Sequence, residues 1–180
     1  AAGMQTLDHC LAELVGKVDL RQRCTIPEQT NVLGCFHDGR IAILDVADPR
    51  LDGIEEATAA HELLHAVWAG LDEDSRSRLG SLLRAAYAAE TDESLRTKVE
   101  AYRLRDPSVV DNELHSILGT EVADLDAALE DHYAGWFTDR STVVGLANTS
   151  QGAFGTLEAQ IAELDVQLEA LGREIAVAEE

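Results

Sequence analysis

Residues 54–71, IEEATAAHELLHAVWAGL, decide the fold of this 180-residue chain. The stretch is rich in strong helix formers and has no proline, and no glycine before Gly70, so it predicts a helix. Near its middle stands HELLH, in which His61 and His65 are four residues apart and therefore share one helical face. Small and apolar neighbours on both sides indicate that this helix is packed inside a domain.

Two imidazoles on one helical face can bind a single metal ion. Zinc prefers histidine nitrogen and carboxylate oxygen, and a catalytic zinc site keeps one position for water. The metal lowers the pKa of that water toward about 7, and a neighbouring carboxylate can take its proton. We therefore predict that His61 and His65 are metal ligands and that Glu62 is a catalytic general base. The alternative is coincidence, since the pattern arises in about one chain in fifty of this composition.

A third ligand has to come from another segment, and residues 111–121, DNELHSILGTE, are the best source. They form a polar stripe on a predicted helix whose other face is apolar. Glu113, which follows Asn112, is the first choice for the ligand, and Glu121 is its competitor. His115 is about 200° from Glu113 around a helix, so it either replaces that ligand or hydrogen-bonds a transition-state oxygen. The alternative is a helix whose two glutamates and histidine are simply solvated.

A β-hairpin is predicted just before the HELLH helix. The runs NVLGCF (31–36) and IAILDV (41–46) are strand-like, and Asp38-Gly39 between them is a turn signal, because glycine tolerates positive φ. Apolar residues spaced by three and four over residues 4–18 predict an N-terminal helix. Further helices are expected at 73–89, at 93–104, after Pro107 to about 122, and from 126 onward. The predicted fold class is mainly α (α+β), with a small hairpin or sheet packed on a helical domain.

The C-terminal region carries a regular apolar repeat. Spacings of three and four alternate through Phe154, Leu157, Ile161, Leu164, Leu168, Leu171 and Ile175. A repeat sustained over three heptads predicts a long coiled-coil-like helix and a homo-oligomer formed through residues 154–178. The alternative is an ordinary amphipathic helix docked on the domain.

Composition and charge disfavour several classes of partner. The chain has 14 Lys and Arg against 34 Asp and Glu, a formal net charge of -20. Such a surface repels phosphate backbones and anionic lipid, so we expect no nucleic-acid binding. No stretch approaches the roughly 18 apolar residues of a membrane span, so we expect no membrane insertion within this sequence.

The cysteines bear on localisation. Cys24 and Cys35 flank a predicted turn and strand, and a disulfide between them would indicate an oxidising, exported or cell-surface setting. The alternative is three reduced thiols in a cytosolic protein, and Cys10 stays without a partner in this scheme. The sequence begins at Ala1 and not at methionine, which leads us to expect a processed or truncated N-terminus.

TAAHELLHA, followed further along by NELHSILGTE, resembles the gluzincin branch of the zincin metallopeptidases. The resemblance implies that Zn²⁺ is held by His61, His65 and Glu113, with Glu62 as base and proton shuttle. It also implies that the hairpin is an edge along which an extended peptide substrate lies antiparallel. The set VLGCF, ATAAHELLHA, NELHSILGTE and HYAGWFTDR is similar to uncharacterised exported bacterial proteins over roughly residues 24–145.

The same resemblance implies a Tyr or His that stabilises the tetrahedral oxyanion, for which Tyr133, His132 and His115 are the candidates. The alternative for Tyr133 is a core aromatic. The predicted function is thus zinc-dependent hydrolysis of a peptide or protein substrate. The zincin-like domain is expected at 23–150, between an N-terminal helix at 1–22, packed into a stalk, and the coiled-coil-like helix at 151–180. The alternative function is a non-catalytic coiled-coil interaction module with a zincin-like or structural metal site.

Overall fold

The computed structural model of the chain describes residues 11–24 and 32–178. Its strands and helices are, in chain order, β1 (Leu11–Val15), α1 (Lys17–Arg23), β2 (Gly34–His37), β3 (Arg40–Leu44), α2 (Ile54–Gly70), α3 (Glu73–Ala89), α4 (Glu93–Arg105), α5 (Val110–Glu121), α6 (Ala127–Tyr133) and α7 (Arg140–Ala178). Two 3-10 turns, Pro49–Leu51 and Pro107–Val109, precede α2 and α5. The predicted class, mainly α with a small sheet and a long C-terminal helix, is confirmed.

The sheet has three strands in the order β1-β3-β2. β2 and β3 form the predicted antiparallel hairpin, with Phe36 opposite Ile41. Its two turn residues, Asp38 and Gly39, have φ of 50° and 75°, which is the combination that a type I′ turn requires. The hairpin prediction is therefore confirmed for the described residues, and β2 occupies one edge of the sheet.

The predicted N-terminal helix is wrong for residues 11–15, which form strand β1, while residues 1–10 lie outside the described residues. β1 pairs in parallel with β3, with Ala12 opposite Ile41. The apolar spacing gave no sign of this strand, because a partner distant in sequence satisfies its backbone groups and overrides the local pattern. Helix α1 follows only at Lys17 and packs on β3, so residues 11–24 form a strand and a short helix at the sheet in place of one continuous helix.

The main core lies between α2, α5 and their neighbours. Its fully buried side chains include Leu64, Leu83, Leu114, Ile117, Leu118, Leu129 and Tyr133. Helices α2 and α5 pack closely at Gly119. A Cβ at this position would stand only 2.5 Å from Leu64 Cδ1. This close packing holds the end of the HELLH motif beside the first turn of α5.

Three helices begin with a capping aspartate. Asp72, Asp92 and Asp126 accept hydrogen bonds from backbone N–H groups at the starts of α3, α4 and α6. Such caps satisfy donors that have no partner within the helix. Helix α5 starts at Val110 without a side-chain cap, and Asp106 caps the 3-10 turn before it.

A disulfide joins Cys24, at the end of α1, to Cys35 on β2, with their Cα atoms 5.8 Å apart. Cys24 belongs to a small second core with Val15, Leu20 and Ala42. The predicted pairing is therefore confirmed, and it is compatible with a protein that has left the reducing cytosol. Among the described residues, none of the helices has the length and apolarity needed to cross a membrane.

Helix α7 begins at Arg140, ahead of the position 151 at which the coiled-coil-like helix was expected to start. Arg140 is buried and donates hydrogen bonds to the carbonyl oxygens of Val122 and Ala123, at 2.6 and 2.7 Å, and it pairs with Glu130. The first part of α7 packs on α2 and α5. The expected boundary at 150/151 therefore falls inside one continuous helix.

Candidate metal centre

The two histidines of HELLH face each other on α2. Their Nε2 atoms are 3.1 Å apart. His65 Nδ1 lies 3.0 Å from Asn112 Oδ1 on α5. Because an amide oxygen only accepts hydrogen bonds, Nδ1 must carry the proton, and the lone pair of His65 stays on Nε2. This arrangement is the one by which metal-binding histidines are oriented.

Glu113 supplies a carboxylate to the same place from the first turn of α5. Its Oε2 is 3.9 Å from His65 Nε2, and it is buried without a hydrogen-bond partner among the described residues. Burial raises the pKa of Glu113, while His65 and the nearby Tyr102 hydroxyl act in the opposite direction. A buried oxygen without a partner is costly, and a cation between it and the two imidazoles would satisfy it.

The three side chains fit a small cation. One ligand atom from each of His61, His65 and Glu113 lies within 4.8 Å of the others. Tetrahedral zinc with bonds of about 2.0–2.1 Å separates its ligand atoms by roughly 3.3 Å. His65 Nε2 lies 3.1 Å from His61 Nε2 and 3.9 Å from Glu113 Oε2, so the two distances lie on either side of that value. Burial also lowers the pKa of His61 well below its ordinary value, so this imidazole is neutral and able to ligate.

Glu62 lies between the two histidines in sequence and lines the same cleft. It is buried, and burial raises its pKa to about 7. The charge of Glu113 also raises the pKa of Glu62, whereas the charge of His65 and the backbone N–H of Phe36 on β2 lower it. A carboxyl group with a pKa near neutrality is suited to take up and release a proton at physiological pH.

The cleft around these residues measures about 890 Å³. Strand β2 forms one wall with Cys35 and Phe36, and α4 contributes Lys98 and Tyr102. Helix α7 adds Phe154. The disulfide thus also lies at the wall of the cleft, where it ties α1 to the edge strand.

Tyr102 is a site residue that the sequence analysis missed. It lines the cleft near Glu113, and burial together with the Glu113 charge raises the pKa of its hydroxyl, which is therefore protonated. Arg105 stacks on its ring, 5.1 Å from the centroid. In the sequence, Tyr102 stands out only as a tyrosine within a highly charged helix, and this pattern does not indicate which way its ring faces.

Glu121, the competitor for the third ligand, is engaged elsewhere in the cleft. Its carboxylate pairs with Lys98 Nζ at 2.6 Å and accepts a hydrogen bond from Gln151 Nε2 at 2.6 Å. It is not among the residues that converge on one point with His61 and His65. The structure thus brings together the first-choice set and leaves Glu121 outside it.

The expected catalytic roles of His115 and Tyr133 do not fit the geometry. Both side chains are fully buried, and neither lines the cleft. His115 Nδ1 lies 3.1 Å from the carbonyl oxygen of Leu64, and its Nε2 lies 2.8 Å from His132 Nε2. The Tyr133 hydroxyl donates to the backbone oxygen of His115 at 2.8 Å. Their polar atoms are therefore used up in the core, and Tyr133 is the core aromatic that the alternative described.

The site therefore combines two imidazoles, two carboxylates and one tyrosine hydroxyl, drawn from α2, α4 and α5. Strand β2 closes it on the side of Glu62. Comparison of the chain with protein-family models, with curated proteins and with solved structures found no match.

Proposed function

We propose that the protein is a zinc-dependent peptidase. One observation carries the proposal: His61, His65 and Glu113 converge on one point, with Glu62 beside them. The Oε2 atom of Glu113 is buried there and has no hydrogen-bond partner within residues 11–24 and 32–178. The donor set of two imidazoles and a carboxylate is the set that catalytic zinc uses. Bound zinc would polarise the scissile carbonyl and activate a water molecule.

The chain's own residues supply the proton transfers. Glu62 accepts the proton of the attacking water and delivers it to the leaving amine, for which its pKa of about 7 is suited. Asn112 fixes the tautomer of His65 through their hydrogen bond of 3.0 Å. Both carboxylates are largely withdrawn from solvent, which strengthens their interactions with the reacting groups.

Tyr102 replaces Tyr133 and His115 in our proposal as the group that stabilises the oxyanion. Its hydroxyl is protonated, and it lines the cleft together with the ligand Glu113. Removing one such donor typically costs about 3 kcal/mol of transition-state stabilisation. Tyr102→Phe should therefore lower kcat by roughly a hundredfold and leave KM and zinc content nearly unchanged.

The substrate in this proposal is an extended peptide or protein segment. Strand β2 is an edge of the described sheet and lines the cleft, so its outer side can receive a further strand. The disulfide supports an exported protein that acts on substrates outside the cell.

The decisive experiment compares two glutamates of α2. Metal content is measured by elemental mass spectrometry on the wild type, His61→Ala, Glu62→Gln and Glu56→Gln, followed by hydrolysis of a fluorogenic peptide library. Glu56 is exposed on the same helix and provides the matched control. We expect one zinc per chain except in His61→Ala, and hydrolysis by the wild type and Glu56→Gln only. Hydrolysis retained in Glu62→Gln would refute the assigned base.

The alternative is a non-catalytic coiled-coil interaction module in which the metal site is structural. It is favoured by the exposed apolar side chains of α7, among them Leu164 and Leu168. Under this alternative, zinc is bound without hydrolysis, and its removal by a chelator unfolds the domain. A chelated protein that keeps its circular dichroism spectrum and loses only hydrolysis would exclude it.

A further inference from the structure

The second half of α7 extends away from the domain. Every residue from 158 to 169 is exposed. Over residues 158–178 a rise of about 1.5 Å per residue gives roughly 30 Å of helix beyond the last core contacts. A single helix of this length is marginal in water, because helices in proteins draw most of their stability from packing. The projecting segment therefore needs a partner for its apolar face.

That apolar face is one continuous seam. Ile161, Leu164, Leu168, Leu171 and Ile175 are each more than half exposed, between 52% and 65%. Their alternating spacings of three and four are those of positions a and d of a heptad repeat. Ile161, Leu168 and Ile175 occupy a, whereas Leu164 and Leu171 occupy d.

The residue types at these positions favour a particular partner. β-branched side chains at a, combined with leucine at d, favour parallel two-stranded coiled coils. Two of the three exposed a positions hold isoleucine, and both exposed d positions hold leucine. A second copy of this chain offers the same seam in the same register.

Within residues 154–178 the charges that flank the seam favour the parallel orientation. In a parallel pair, position g of one helix faces position e of the other, which places Gln160 opposite Asp165 without a clash of like charges. In the antiparallel pair that overlaps the whole seam, Asp165 faces its own copy. Like charges held in this way destabilise the pair.

We infer that residues 154–178 form a parallel, two-stranded coiled coil with a second copy of the chain. Phe154 and Leu157 begin the seam where α7 leaves the domain, and Phe154 also lines the metal cleft. The dimer therefore places its two clefts at the same end of a shared stalk. This inference does not depend on zinc or on hydrolysis.

The test uses the full chain, light scattering after size-exclusion chromatography and sedimentation equilibrium. We expect a mass twice the 19.5 kDa of the chain, with tighter association at higher salt, because salt screens repulsion between acidic copies. Leu164→Gln and Leu168→Gln should each raise the dimer Kd at least about tenfold. Val166→Gln is the matched control, since Val166 is 65% exposed on the same helix but lies off the seam.

Orientation is tested by cysteine pairing. Leu171→Cys should form a disulfide with its own copy in a parallel dimer, whereas Val166→Cys on the outer face should not. In an antiparallel pair centred on the seam, position 171 faces position 161, so self-pairing fails. A monomer at high micromolar concentration, a trimer, an unchanged Kd in both leucine variants or failure of Leu171→Cys to self-pair would each overturn the inference.

Discussion

Asn112 should set the metal affinity of the site without being a ligand. Its Oδ1 accepts the hydrogen bond of His65 Nδ1 at 3.0 Å and so keeps the lone pair of that imidazole on Nε2. Loss of such an orienting partner typically weakens metal binding by 10–100-fold. This corresponds to about 1.4–2.8 kcal/mol of binding free energy. Asn112→Ala should fall in this range.

The structure also indicates where within that range the value should lie. Ser116 Oγ is 3.2 Å from the same His65 Nδ1 and can accept part of the lost hydrogen bond. We therefore expect Asn112→Ala to weaken zinc binding by about tenfold, and the double variant with Ser116→Ala to approach a hundredfold. Asn112→Asp keeps an acceptor in place and should bind zinc at least as tightly as the wild type.

The assay is competition for zinc against a chromophoric chelator at constant neutral pH. Asn148→Ala is the matched control, since Asn148 is exposed on α7 and away from the cleft. Circular dichroism verifies that each variant is folded. If the double variant, correctly folded, binds zinc as tightly as the wild type, then His65 is not oriented by α5 and our assignment of the ligand set fails.

Three further predictions concern stability. Gly119→Ala should lower the unfolding free energy by about 1–2 kcal/mol, because crowding of the core outweighs a gain of about 1 kcal/mol in helix propensity. The control is Gly145→Ala, which should not destabilise the protein because the added Cβ meets no atom within 4 Å. The hydrogen bond from Arg140 lowers the pKa of Glu130, so the ion pair stabilises the fold above the ordinary pKa of a glutamate, and this stabilisation is lost as the pH falls through the lowered pKa of Glu130. In acid titrations followed by circular dichroism, Glu130→Gln should therefore lose less stability than the wild type over this pH range. Reduction of the disulfide, or Cys35→Ser, should cost about 2–3 kcal/mol in urea unfolding, and an unchanged midpoint would contradict the pairing.

Local patterns in the sequence predicted the elements that depend on neighbours along the chain. The hairpin follows from Asp38-Gly39, and helix α2 follows from its run of strong helix formers. Strand β1 escaped prediction because it pairs with β3, more than twenty residues later, and its apolar spacing was that of a helix. Pairing between distant segments leaves little trace in either segment alone.

The candidate site was predictable as far as spacing along one helix determines it. His61 and His65 share a face of α2 by their separation alone, and Glu113 was the first choice on α5. The 200° between Glu113 and His115 indicated that only one of them faces the metal, but only packing shows which. The side chain of His115 points into the core, where its Nδ1 contacts the carbonyl oxygen of Leu64.

The cleft itself results from two close contacts at glycines outside the HELLH motif. At Gly119, α5 comes close enough to α2 to bring Glu113 to the histidines. At Gly34, a Cβ would stand 2.6 Å from Thr58 Cγ2 and 3.2 Å from Glu62 Cγ, so only glycine lets β2 lie directly on the HELLH helix. That contact brings the Phe36 N–H to the carboxylate of the proposed base. The HExxH spacing can thus supply ligands in any helix, whereas a site in which base, ligands and substrate edge meet requires small residues at both contacts.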